Sequence, residues 1–432
     1  MRFAVWTIIA GTLAAGALTA QSPVAPPPTI AGAPAAILPP PPLPAPVPNE
    51  PAPAPPDGFA VGTLPPGVIV SPPAVRPPMP VPGAPIEIPP GPMYWVAADY
   101  LLWRSKGGML PPLVIAANTN SSLDPRVIVP LSDERINGDL QSGFRLQGGL
   151  WLDKPHGMGV EVICTSFLGT GDVGTYAGNS NAVIGRPFVD VNRPGPALLR
   201  LSSTTGSTQG VAQVRTTFDS DGFELNWLPR GPAMIGEEMH WIVGARYFGL
   251  EESLTVESVS QSGTMRVGTF DTFATRNQFY GAQVGGMWNF TRGNFSINLI
   301  AKMAIGAMHQ EVDIQGGTSV VLPSGTRIDR SGGLLALSSN IGEYDRTRLV
   351  VIRDTAINVS YCLTPNISLR LGYDFMWVSS VVRPGDQIDL GVNPTLMPFS
   401  GATPRAPLRP AFHWNGDIYW MHGVSVGIAV QF

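Results

Sequence analysis

Eight charged residues stand inside stretches where apolar and polar residues alternate: Asp99, Arg145, Glu161, Glu224, Arg246, Lys302, Arg370 and Asp374. Alternation of period two puts such residues on one face of a strand and the apolar ones on the other. If the charged faces enclosed a common centre, these groups could line a small polar or ion pore. They could equally pair with one another and plug it, because buried charges must be paired or solvated. Both readings stand at this level. Other chemistry-bearing groups are sparser. The histidines His156, His240, His309, His413 and His422 show no HExxH or other ligand spacing. Asp219-Ser220-Asp221-Gly222 echoes the start of a calcium loop but lacks the downstream glutamate. Asp133, Glu134 and Asp139 form a second acidic group that reads as solvated turns. No metal and no cofactor is expected. Cys164 and Cys362 fall on strands far apart in order, so no disulfide is expected.

The elements that must position these groups are strands. Ile367, Leu369, Leu371, Tyr373, Phe375 and Trp377 share one parity, and Ser368, Arg370, Gly372 and Asp374 the other. The same pattern runs through 139–152, 276–290 and 294–310. Ten such segments are expected, at about 94–104, 139–152, 158–168, 211–228, 238–251, 276–290, 294–310, 348–363, 367–380 and 416–432. Their joints alternate between short turns and long connections, at about 105–138, 169–210, 252–275, 311–347 and 381–415. An even number of antiparallel strands with short turns at one end and long loops at the other is the rule of membrane β-barrels. The expected fold is therefore all-β, a membrane-spanning antiparallel up-and-down β-barrel of ten strands, with twelve as the alternative. Closure is needed because an open edge in lipid leaves amides unpaired.

Tryptophans should then mark the two membrane interfaces. Trp95, Trp103, Trp227, Trp241, Trp288 and Trp377 are the candidates, with Trp420 beside them. Trp95 and Trp103 share parity with Asp99, so both cannot face lipid while Asp99 faces inward without a bulge. The last strand ends in Val424, Val426, Ile428, Val430 and Phe432 at two-residue spacing. Val320 to Leu322 and Leu334 to Leu337 are apolar runs inside a long loop. They are expected to pair as hairpin extensions, with a constriction in the barrel mouth as the other possibility.

The chain has 432 residues, a net charge of −4 and 13% charged residues, against about 25% in ordinary soluble domains. It carries no basic surface for nucleic acid. Residues 1–20 read as a cleaved export signal, with one early Arg2, an apolar run and small residues at its end. Residues 21–92 hold 28 of the 46 prolines and four charged residues. That composition favours polyproline II and forms no core. It suits a disordered periplasmic linker, with docking to the cell wall as the alternative. Residues 93–432 would carry the barrel and its five long outer loops.

Several segments resemble the family named putative beta-barrel porin, number seven of its series. They are Tyr100-Leu101-Leu102-Trp103, Lys106 to Val114, Gly148 to Asp153, Pro187 to Asn192, Gly244 to Phe248, Asn277 to Gly281 and Arg383 to Asp389. The resemblance runs in order from about 94 to 432 and leaves out the Pro-rich tract. It implies an outer-membrane β-barrel and brings no catalytic residues. The terminal Phe432 resembles the signal by which the barrel-assembly machinery recognises such proteins, and outer-membrane lipid is the implied surrounding. The expected function is porin-like passage of small solutes or a structural envelope role. The alternative is surface adhesion or recognition through the long loops, with a plugged lumen. Some outer-membrane proteases place Asp and His at the tops of ten-strand barrels. His413 and His309, with Asp386 and Asp313, keep that reading open, although a non-enzyme is expected.

Overall fold

The computed structural model describes residues 93–118, 128–130, 135–153, 157–178, 182–203, 205–232 and 238–432. The expected signal 1–20, the Pro-rich tract 21–92, Asp133, Glu134 and His156 lie outside the described residues.

Ten strands close into an antiparallel barrel: β1 Tyr94–Ser105, β2 Leu140–Trp151, β3 Met158–Thr170, β4 Thr208–Pro229, β5 Glu238–Ser262, β6 Met265–Arg292, β7 Phe295–Val321, β8 Gly342–Cys362, β9 Ile367–Val381 and β10 Asp417–Gln431. Each pairs with its chain neighbour, and β1 pairs with β10 from Trp95↔Gln431 to Ser105↔Met421. Two further strands, Val173–Gly178 on β4 and Arg327–Ser331 on β7, extend the sheet at the outer end. At the seam Tyr94 and Phe432 exchange backbone hydrogen bonds, and their rings stack with centroids 6.1 Å apart. The hairpins at one end are tight; between β6 and β7 the chain reverses through Gly293, whose φ of 61° lies where glycine carries no steric penalty.

Crossing hydrocarbon takes a strand of about 9–11 residues. β1 and β2, with 12 residues each, barely exceed that, while β5, β6 and β7 run for 25, 28 and 27 residues. The expected loop at 252–275 is therefore a continuous hairpin, paired from Glu238↔Asn289 to Ser262↔Met265. Much of 311–321 likewise prolongs β7. The alternation does not stop at the membrane edge; it changes sign. In the lower part of β5, Trp241 and Val243 are exposed outward while Arg246 is buried inside. Higher up, Leu250, Leu254 and Val256 are buried inside, and Glu251 and Glu257 are exposed. β7 repeats the switch, with exposed Ile297 and Ile305 against buried Lys302, then buried Met308, Val312 and Ile314.

The apolar outer band is made by such residues as Val96, Tyr100, Phe144, Leu146, Leu225, Trp227, Trp241, Tyr280, Val284, Ile357, Leu371, Tyr373, Val426 and Ile428, all exposed. Above it, the remaining connections fold over the barrel mouth. A small sheet orders Gly195–Arg200, Ala182–Asp190, Ile115–Asn118 and Ile128–Pro130, and Gly391–Val392 adds to it in parallel. Its apolar side joins the inner faces of the long hairpins in one cluster that includes Val114, Ile184, Leu201, Leu254, Phe273, Val312, Ile314 and Val382.

One expectation is corrected here. Leu334 to Leu337 do not pair as a hairpin extension; all four are buried in this cluster, and only Val320 and Val321 join the extension. As the strand expected over 211–228 has it, Asp219 to Gly222 lie within β4, paired on one side from Asp219↔Glu251 to Gly222↔Phe248, so the segment has no loop in which to wrap a cation.

Candidate functional site: the lumen and its cap

The strand parity delivers all eight expected charges to the barrel interior. Asp99, Glu161, Glu224, Arg246, Lys302 and Asp374 are buried, and the Arg145 and Arg370 side chains keep 12% and 13% of their surface. They arrive from seven different strands and assemble into one lattice. Arg145 donates from Nε to Asp99 at 2.9 Å and from Nη1 to Asp374 at 2.7 Å, and from Nη2 to Ser425 Oγ at 3.2 Å. Ser425 in turn donates to Asp374 at 3.0 Å. Arg370 donates to Gln147 Oε1 at 2.8 Å and lies 3.8 Å from the other Asp99 oxygen. Lys302 meets Glu224 at 2.6 Å, and Asn226 donates to Glu161 at 2.8 Å. Arg246 donates to Asp354 at 3.2 Å.

Strand parity puts Gln147 and Gln283 on the inner faces as well; sequence reasoning missed Asp354 and the amides Asn226 and Asn358 in this level. Asp354 follows Arg353, whose guanidinium lies outside over Trp377 at 4.7 Å. Two adjacent charges in one strand hide which of them points inward. The register Lys302↔Asp354↔Met376 is the signal that resolves it.

The interface tryptophans divide. Trp227 and Trp241 are half exposed, and Trp288 and Trp377 share the parity of the exposed Tyr280 and Phe375 on their strands. Trp95 and Trp103 are corrections. Both take the inward parity of Asp99, and Trp103 is 7% exposed, against the Phe167 ring at 5.3 Å. The charge won that conflict because an unpaired carboxylate facing hydrocarbon costs far more than a buried indole.

Above the charged level the lumen is filled with apolar side chains. Leu101, Trp103, Phe167, Phe218, Phe248, Leu250, Phe279, Met308, Val350, Ile352, Met376, Val378, Tyr419 and Met421 belong to one buried cluster. Below it lies a vestibule of about 370 Å³, lined by Trp95, Trp151, Glu161, Asn298, Ser360 and Arg370 among others. Between vestibule and apolar layer is a chamber of about 70 Å³.

The cap is held by ion pairs, of which Arg383–Glu252 and Arg186–Asp271 are buried. Arg383 grips Glu252 with two hydrogen bonds, 2.8 Å from Nε and 2.6 Å from Nη2, both groups almost fully buried. Burial opposes the Arg383 charge, but Glu252 outweighs it and holds its pKa above the ordinary value. Asp271 accepts the backbone N–H groups of Leu334, Leu335 and Ala336 at 2.9, 2.9 and 2.7 Å on one oxygen, and its other oxygen lies 2.6 Å from Arg186 of the small sheet. Asp389 binds Arg409 at 2.5 and 2.6 Å. Burial works against its charge, yet Arg409 and the N–H groups of Ala411 and Gly391 hold it below the usual carboxylate range. Asp386 is pushed up to about 6, by burial first and Asp417 second. The segment 383–389 is thus a structural clamp.

The histidine and aspartate pairs do not assemble. His309 meets Glu311 at 3.1 Å and Thr347 at 3.4 Å, Asp313 accepts from Gln315, and His413 contacts the Ala411 carbonyl. His240 is buried against Trp151, with ring centroids 4.8 Å apart. Cys164 and Cys362 are free thiols on β3 and β8.

Comparison with known proteins adds a family. The family model described as Putative beta barrel porin-7 matches residues 95–432. No curated protein sequence matches the chain. Among solved structures, the outer membrane protease OmpT from Escherichia coli aligns at 9% identity over 79% of this chain and 97% of its own, with a TM-score of 0.35. A FadL homologue from Pseudomonas aeruginosa aligns at 7% identity over 79% and 90%, with a TM-score of 0.22. An anion-selective porin from Comamonas acidovorans aligns at 9% over 78% and 98%, with a TM-score of 0.14. Likeness this distant carries no argument about activity.

Proposed function

We propose, from the premise that this chain belongs to the putative beta barrel porin-7 family, that it is an outer-membrane barrel whose lumen is closed and whose folded outer cap does the work of surface recognition. The observation that carries this reading is the apolar layer across the lumen, which stands directly above a charged level whose groups bond to one another. Water and ions cross a membrane protein through polar, solvated paths; a layer of packed aromatic and aliphatic side chains is a barrier to both. The cap rests on buried ion pairs and a continuous core, which suits a fixed recognition surface. Residues 1–20 would direct export, Phe432 would be read by the assembly machinery, and 21–92 would span toward the cell wall. No catalytic role is assigned to any residue.

Passage of small solutes is the second reading, favoured by the polar vestibule and the charged level above it. Planar bilayers separate the two. The purified mature protein should give no sustained conductance steps, and a variant with Phe167, Phe248 and Met376 changed to Ser should give them. Steady conductance from the unaltered protein would overturn the closed-lumen reading.

A further inference from the structure

The chamber within the charged level has features that neither a plug nor a scaffold needs. Its lining includes Trp103, Arg145, Ser220, Arg246, Lys302 and Asp374. A space of about 70 Å³ is several times the roughly 10–15 Å³ that one water requires. Trp103 lines it, is 93% buried by its 7% exposure, and its indole N–H has no acceptor among the described residues. A buried tryptophan usually finds a partner for that N–H, and leaving a donor unsatisfied costs about 1–3 kcal/mol. The orphan is a donor, so its natural partner is an acceptor.

The chamber is also nearly continuous with the vestibule. Gln147, Ile300, Asn358 and Arg370 line both spaces. One side-chain layer divides them, and the 2.8 Å hydrogen bond from Arg370 to Gln147 spans it. On the opposite side Trp103, Phe167, Phe248 and Met376 line the chamber and belong to the apolar cluster.

We infer that the chamber is a binding site for small hydrogen-bond acceptors of water or halide size, seated against the Trp103 indole N–H and reached from the vestibule when Arg370 swings away from Gln147. The apolar layer stops further travel, so the site fills and empties through one door. Its charged lining is balanced, with Arg145, Arg246, Lys302 and Arg370 against Asp221, Glu224, Asp354 and Asp374, which leaves a small neutral or singly charged acceptor as the occupant. This site exists whether the cap recognises a partner or not, so its test is separate from conductance.

Crystals of the detergent-purified mature protein, grown with and without sodium bromide, give the first readout. Density within hydrogen-bond distance of Trp103 Nε1 without anomalous signal identifies water; the same density with bromine anomalous signal identifies a halide. Either supports the site, and a chamber without density at high resolution overturns it. Trp103→Phe should remove the density nearest Nε1 while the barrel remains folded. The door is tested by labelling. In a Cys164→Ser, Cys362→Ser background, Ser220→Cys should react slowly with a small thiol-specific methanethiosulfonate, and adding Arg370→Ala should raise the rate at least tenfold. Equal rates would show that Arg370 does not control access. Should Ser220→Cys fail to fold, Thr165→Cys, on the same wall, serves instead.

Discussion

The lower and upper halves of this barrel solve opposite problems with the same strands. At membrane depth the apolar residues point out and the charges point in. Above it, β5, β6 and β7 keep their parity but exchange chemistry: Phe273, Phe279, Leu254 and Val312 are buried inside, while Glu251, Arg276 and Glu311 lie outside. The lower half is inside out because its solvent is hydrocarbon. The upper half has the core and surface of a water-soluble protein. The sign changes between Arg246 and Leu250 on β5 and between Lys302 and Met308 on β7, within continuous strands.

The sharpest way to break that comparison is at Arg145. Its guanidinium holds Asp99 and Asp374 in the interior. Removing one partner of a buried pair strands the other charges, at a cost of about 3–5 kcal/mol. Arg145→Ala should lower the urea concentration at which the heat-modifiable, folded band disappears from cold gels. A midpoint equal to the unaltered protein would mean that the charged level is solvated and contributes little. The matching change in the upper half is Leu254→Ala, on a residue of the cap cluster with no exposed surface. It should cost about 2–5 kcal/mol as a cavity in a packed layer. Unlike Arg145→Ala, it should spare the extraction behaviour of the barrel while loosening the cap to proteolysis. Loss of barrel and cap together would show that the two halves unfold as one.

Much of this architecture was legible in the residues. Ten strands, their order and the eight inward charges follow from parity, because at membrane depth the contrast between faces is greatest. Beyond that depth the same rule misled. A reading that follows the apolar face stops at Leu250 or Gln310, where the apolar residues change side, and takes the continuing strand for a loop. Trp103 and Trp95 were ambiguous for a related reason: an amphipathic ring is at home in either place. The small sheet and the Asp271 anchor were not legible at all. They depend on pairings between residues such as Arg186 and Asp271, or Arg383 and Glu252, which lie far apart in sequence and carry no local periodicity.

The cap should respond to pH through Asp386, whose pKa is pushed up to about 6. An unfolded aspartate titrates near 4. Between those values the folded state holds more protons, so stability falls as pH rises from about 4 to 6 and is then level. Asp386→Asn removes the charge that burial and Asp417 disfavour. The gain at pH 7.5 should be at most about 1 kcal/mol after solvent screening, and absent at pH 4. Resistance of the cap to protease at the two pH values measures it. A variant less resistant at pH 7.5 would show that the carboxylate is stabilising.

The smallest effect should come from Arg276, and it isolates what depth contributes. Like Arg145, this guanidinium sits between two carboxylates, Glu251 at 2.7 Å and Glu311 at 3.3 Å. Unlike Arg145, it lies on the outer face above the apolar band, with 47% of its side chain exposed. Exposed pairs contribute a few tenths of a kcal/mol and weaken with salt. Arg276→Ala should therefore shift the unfolding midpoint by about a tenth of the Arg145→Ala shift, and the difference should fade by 1 M salt, where the Debye length is only about 3 Å. The Arg145→Ala shift should persist there, because buried charges are screened far less. Equal, salt-sensitive shifts at both positions would mean that water reaches the charged level freely, and the lumen would then be open.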